Sequence, residues 1–284
     1  MKLDKVLLCT DFSEPANQLT ECLLELKDKG LKEVVLIHVV NIRSAGGNAS
    51  VLQKFNQEQL TKVAEEIEED GFSVKVSVPI GFPPHEIVDA ALKEQVSLIL
   101  LGAIGKGVVR RVFLGSTAFD VIRISKVPVL VEKFTDTKRE ECEIICRRKF
   151  ERVVVPVDFS DDSLSVVENM GNLLQGRGRM VLVFALEGSE NKKDLKKAKE
   201  DAEKKLEDLK SEWENTGAEV KCHVKEGIAS QSILQVAEEK EATLIAMSKR
   251  GRGQIRELLI GSTAEAVALR SKIPILLFPS KTHR

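Results

Sequence analysis

The chain has 284 residues, 43% of them hydrophobic and 31% charged, with 43 Lys and Arg against 44 Asp and Glu. That supplies apolar material for two cores of about 140 residues each, and a net charge of -1 argues against bulk attraction to nucleic acid or anionic lipid. No apolar run is long enough to span a bilayer, and Met1-Lys2-Leu3-Asp4-Lys5 leads straight into a strand without a secretory pattern.

The first apolar run, 5–10, reads as a strand that ends in Thr10-Asp11-Phe12-Ser13, after which a helix begins. Further runs at 33–40, 73–79, 96–101 and 127–132 alternate with helical patterns. That alternation implies a parallel sheet covered on both faces, with right-handed crossovers. His38 falls inside the second run and reads as a packed histidine. His85 follows Pro83-Pro84 at a helix start, where the dipole disfavours its charged form, and reads as exposed and inert. Residues 134–150 are charged and read as a linker between domains spanning 1–140 and 148–284.

The five cysteines are irregularly spaced, which suits a reducing, cytoplasmic compartment. Cys9 and Cys222 lie in strand-like runs and read as buried small hydrophobes. Cys142 and Cys146 would sit one helical turn apart, but no His or third Cys accompanies them, so a structural role outweighs a metal site.

The chain repeats. Lys5 to Ser13 resembles Arg152 to Ser160, both containing Asp-Phe-Ser. Val127-Pro128-Val129-Leu130 resembles Ile273-Pro274-Ile275-Leu276, and Gly115-Ser-Thr-Ala118 resembles Gly261-Ser-Thr-Ala264. The first pair is offset by one residue more than the other two, so the halves align without a gap from the second strand onward. The length difference must fall in the first helix or its flanking turns. In the second half, Leu195, Ala198, Ala202, Leu206, Leu209 and Trp213 form one apolar stripe on a charged helix. The expected fold is α/β: two tandem doubly wound domains, each a five-stranded parallel sheet flanked by helices.

Ligands of such sheets bind at the carboxyl ends of the strands, where the strand order reverses. After the fourth strand of the first half come Gly102, Gly105 and Gly107, then Gly115-Ser116-Thr117 opening a helix over 117–125. Glycines let the backbone wrap an anion closely, and the helix start offers unpaired amides and the positive end of its dipole. It is not a Walker loop, because Lys106 is followed by Gly107. It is not the dinucleotide fingerprint either, because Thr10 to Pro15 contains no glycine.

The spacing Gly102-x2-Gly105-x9-Gly115-Ser116 resembles the ATP-binding signature of the universal stress protein family. Asp11-x-Ser13 and the Val-Pro-Val of the last strand are similar to that family too, and the resemblance covers nearly the whole chain as a tandem member. It implies an adenine nucleotide alpha hydrolase-like fold and a site for ATP, ADP or AMP, with Mg carried by the phosphates. Thr10 would line the adenine pocket, Val39 and Val40 would meet the base, and Asp11 would face the ribose or a metal-bound phosphate. Gly102, Gly105, Gly115, Ser116 and Thr117 would hold ribose and phosphates, and Gly81 would keep the wall thin. Asp11 has a competing reading as a helix N-cap, a role open to Ser13 as well. The resemblance also implies pairing of the two copies through their last strands, within a homodimer.

The second copy departs from the pattern. Asp158, Gly251, Gly261, Ser262 and Thr263 match, but Ser248 replaces the leading glycine and Ala185 stands in the adenine wall. A serine fits there only if the backbone needs no positive φ and the side chain stays out of ribose space. Lys249, Arg250 and Arg252 read either as charge for phosphates or as a solvated basic turn. No residue set resembles a phosphoryl-transfer machine. The leading expectation is a nucleotide-binding regulatory protein with a protein partner. Slow hydrolysis or nucleotidyl transfer, and a nucleotide-free scaffold, are the alternatives.

Overall fold

The computed structural model describes residues 1–104, 114–134, 144–145, 147–174, 178–186, 192–214, 219–252 and 259–280. The chain divides into units of residues 2–147 and 148–284.

The first unit runs β1 (Lys5–Cys9), α1 (Glu14–Lys27), β2 (Glu33–Ile37), β3 (Val40–Asn41), α2 (Ile42–Ala45), α3 (Ala49–Glu69), β4 (Ser73–Ser77), β5 (Ile80–Gly81), α4 (Pro83–Lys93), β6 (Leu98–Gly102), α5 (Ser116–Ile124) and β7 (Val129–Glu132). Its five-stranded sheet has the order β4-β2-β1-β6-β7, and every pairing is parallel. The chain builds outward from β1 on one side and resumes beside β1 with β6 on the other. The order therefore reverses between β1 and β6, where such sheets bind ligands. Val6, Leu7 and Leu8, Val34 to Ile37, and Leu98 to Leu101 are all buried. Continuous apolar strands of this kind need helices on both faces.

The second unit runs β8 (Arg152–Pro156), α6 (Asp161–Leu174), β9 (Arg179–Leu186), α7 (Lys192–Glu214), β10 (Glu219–Glu226), α8 (Ala229–Glu239), β11 (Leu244–Ser248), α9 (Ser262–Arg270) and β12 (Ile275–Phe278). Its sheet order is β10-β9-β8-β11-β12, again parallel, with the reversal between β8 and β11. On α7, Ala202 and Leu206 are buried while Leu195, Ala198, Leu209 and Trp213 are half-buried, so the apolar stripe faces inward.

The one-residue difference between the halves lies between the first helix and the second strand, at 28–32 in one copy and 175–178 in the other. The strands also end differently. The run at 33–40 stops at Ile37 and resumes as β3, and the run at 73–79 stops at Ser77 and resumes as β5, which pairs with β3. Pro79 explains the break, because it has no N–H to give the ladder. In the second unit Lys225 pairs with Ala185, and β9 and β10 continue unbroken to Leu186 and Glu226.

His38 accordingly lies just beyond β2 rather than inside a strand. Cys9 and Cys222 are half-buried rather than fully buried. Burial still raises both thiols, Cys222 to about 11, and Cys222 Sγ donates to Leu206 O. Cys142 and Cys146 lie outside the described residues. In the joining segment, Phe134 bridges Ile144 and the Ile145 N–H donates to Lys133 O. No helix among the described residues is long and apolar enough to cross a membrane.

Candidate nucleotide site

In the first unit the β1–β6 ladder ends at Leu8 and Leu100, and Thr10 and Gly102 each lie two residues further along the chain. Thr10 donates its N–H to Ile37 O at 3.0 Å, and its Oγ1 accepts the Phe12 N–H at 3.1 Å. That hydroxyl therefore holds the turn. Phe12 has φ 59°, a left-handed conformation that costs a non-glycine residue about 1–3 kcal/mol. Its ring lies 4.5 Å from the His38 ring, and His38 Nδ1–H donates to Thr10 O at 3.0 Å. Ser13 takes the cap of α1, its Oγ accepting from the Ala16 N–H. Asp11 is thus not the helix cap. Its Oδ1 accepts from both the N–H and the Oγ–H of Ser13.

The loop after β6 is pinned where it leaves and where it returns. Ala103 donates its N–H to Glu132 O at 2.8 Å, and Gly115 donates to Ala103 O at 2.6 Å. Gly115 is the N-cap of α5 and supplies no side chain, so no cap bond covers the first-turn amides. Ser116 and Thr117 are exposed at that turn; Val39 is half-buried, and Val40, which opens β3, is buried. Gly105 lies outside the described residues. A Cβ on Gly102 would come within 3.0 Å of the Phe134 ring and 3.2 Å of Ile104 O. A side chain on Gly81 would collide with Glu86, so that glycine makes room for a neighbour's side chain rather than for a thin wall alone. His85 stands at the start of α4 with its ring edge-on to Phe82.

The second unit repeats the turn. Phe159 has φ 60°, and Asp158 Oδ1 accepts from the N–H and Oγ–H of Ser160. Gly261 caps α9 and donates to Lys249 O at 2.8 Å, with Ser262 exposed and Thr263 half-buried. The rest differs. Asp158 Oδ2 accepts the Arg252 N–H at 2.6 Å. Gly251 permits this approach, since a Cβ there would fall 2.3 Å from Asp158 Oδ2. Burial opposes the charged form of Asp158, but bonds from Ser160, Ser163 and the Arg252 amide outweigh it and hold the carboxyl below its usual range.

Ser248 does not have a positive φ, and its Oγ–H donates to Arg250 O at 2.5 Å. It therefore fastens its loop with a side chain that glycine lacks at position 102. Lys249 is buried rather than solvated, and desolvation lowers its ammonium to about 8. Arg252 and Lys205 instead stand over the Phe159 ring, at 5.7 and 5.4 Å, and Phe184 stacks on it at 5.2 Å. Ala185 is half-buried in β9.

The left-handed Phe12 and Phe159 are features that residue-type reasoning passes over. The signal was the identical Asp-Phe-Ser in both halves. Among the described residues, no group of three or more His, Cys, Asp or Glu side chains is placed to hold a metal ion. The uncapped amides and exposed hydroxyls at the start of α5 suit an anion.

These observations define a tandem α/β protein with a glycine-capped helix at each strand-order reversal. The chain belongs to the universal stress protein family, whose model matches residues 2–133 and 149–279. It is 35% identical over 153 residues to universal stress protein MJ0577 of Methanocaldococcus jannaschii, a match covering 45% of this chain and 94% of that one. A universal stress protein of Mycolicibacterium smegmatis is 23% identical over 229 residues, covering 78% of this chain and 74% of that one. The crystal structure of a universal stress protein from Archaeoglobus fulgidus superposes with a TM-score of 0.73 at 28% identity, covering 98% of this chain and 99% of that one.

Proposed function

We propose that the first repeat binds an adenine nucleotide, ATP, ADP or AMP, and that the protein acts in the cytoplasm as a stress-response regulator by changing its contacts with a partner. The observation that carries this reading is the pinned loop at the β1–β6 reversal. Gly115 returns to Ala103 O and presents the uncapped start of α5 at the sheet end that also holds Thr10 and Asp11. The amides of Ser116 and Thr117, with their hydroxyls, would hold phosphate, and Mg would arrive on the phosphates near Asp11. Val39 and Val40 would meet the base.

The same reading makes the second site the weaker one. Ser248 already bonds the carbonyl of Arg250 there, where the first repeat has Gly102 and no side chain. A ligand that needs that space would have to break the bond first. The sequence holds no Walker lysine and no residue set that resembles a phosphoryl-transfer machine, so binding without appreciable turnover is expected.

The test is thermal unfolding of the full chain with and without ATP and Mg. Ligand at one hundred times its Kd adds about 2.7 kcal/mol to stability. A clear rise in Tm that Asp11→Ala removes supports the proposal. No rise at millimolar ATP contradicts it.

A further inference from the structure

The left-handed turn that carries the aspartate is held from a different side in each repeat. In the first, the Thr10 N–H reaches Ile37 O, and the residue after Ile37 is His38. The His38 N–H donates to Ser77 O at 3.1 Å, at the end of β4, which fixes the backbone from which its ring projects. The ring then turns back. Its Nδ1–H donates to Thr10 O at 3.0 Å, and the ring lies 4.5 Å from that of Phe12. In the second repeat the Val157 N–H reaches Val183 O in the same way, so Phe184 stands where His38 does. Phe184 stacks on Phe159 at 5.2 Å, but its ring has no N–H for the Val157 carbonyl. That turn is held from its helix instead, where Ser163 Oγ accepts the Asp158 N–H at 3.3 Å. Ser163 and Ala16 occupy one helix position, each giving its N–H to the serine before the helix, and Ala16 has no hydroxyl to offer.

The His38 bond acts on Asp11 through one rigid unit. A trans peptide is planar, with its C=O and N–H pointing opposite ways, and no cis bond occurs among the described residues. Holding Thr10 O therefore fixes the plane of the Thr10–Asp11 peptide and the direction in which Asp11 leaves the strand. Phe12, next in the chain, adopts φ 59°, a conformation that persists only where its surroundings over-determine it. We propose that His38 is a positioning residue for the first-repeat site: its Nδ1–H aims the Asp11 turn, and nucleotide affinity depends on that bond rather than on the packing of the ring. This rests on the nucleotide reading above. It differs from the role of a packed side chain, in which binding and stability would fall together.

The experiment compares H38F and H38N in the full chain, by calorimetric titration with ATP and Mg and by thermal unfolding without ligand. H38F copies Phe184, keeps a ring on Phe12 and removes the donor. H38N loses the ring and keeps an amide N–H at the place of Nδ1. H38F should weaken ATP binding about tenfold, the order of one lost hydrogen bond. H38N should bind within about threefold of the native chain, although it melts at the lower temperature of the two. Equal ATP affinity of H38F and the native chain overturns the proposal, as does affinity that falls in step with melting temperature across both variants; either result leaves the nucleotide reading standing. A native chain that binds no ATP overturns both.

Discussion

The two repeats share a sheet and a turn, and differ in the residue that ends the fourth strand and in how the second and third strands finish. In the first, glycine stands at the end of β6 beside Phe134, and the pairing of β2 with its outer neighbour is broken at Pro79. In the second, serine stands at the end of β11 with its hydroxyl on the loop, and β9 and β10 run on unbroken. Both keep the left-handed Phe, the Asp–Ser bond and the glycine cap. The shared parts are those that fold the reversal point. The divergent residues are ones that a nucleotide would touch under the proposed reading.

Exchanging matched residues breaks this comparison in graded steps. The largest effect is expected at the paired aspartates. Asp11→Ala should weaken ATP binding by about a hundredfold, roughly 2.7 kcal/mol, while Asp158→Ala should leave it unchanged; titration calorimetry on both variants checks this. Next comes G102S, which imports the second repeat's residue. Its side chain meets the Phe134 ring and Ile104 O, and Ile104 occupies the place of Arg250, to which Ser248 is bonded. About a tenfold loss of ATP affinity is expected, with partial recovery when F134S makes room, and no gain of a site from S248G.

A third step concerns stability. Because the Asp158 carboxyl is held below its usual range, its contribution is present above the unfolded value of about 3.9 and is lost as pH falls through the folded value. D158N should therefore cost about 1–2 kcal/mol at neutral pH, a gap that closes on acidification; urea unfolding at several pH values reads it. The smallest effect is T10V, which copies Val157 and removes the acceptor for the Phe12 N–H. About 0.5–1 kcal/mol of stability should be lost, visible as a small shift in the urea midpoint.

The fold was legible in the sequence because strand runs such as Val6 to Leu8 and Leu98 to Leu101 are continuously apolar, and the α7 stripe repeats at helical spacing. Strand ends were less so. Whether 33–40 continues past Ile37 is decided on the neighbouring strand, by Pro79. In the candidate site, the glycine cap and Ser-Thr pair were readable because helix starts follow local rules. The bond from Arg252 to Asp158 was not, since it joins residues remote in sequence. Lys249 misled for the same reason: charge in a loop suggests solvent, and only the packed fold shows it buried.

The central claim is a difference between repeats, and the number of ATP molecules bound per chain tests it most directly. Native mass spectrometry of the full chain, titrated with ATP and Mg, should show one nucleotide bound at the concentration that saturates the native protein and little at that concentration in Asp11→Ala. Two nucleotides of similar affinity, or one that survives Asp11→Ala and is lost in Asp158→Ala, would contradict the account.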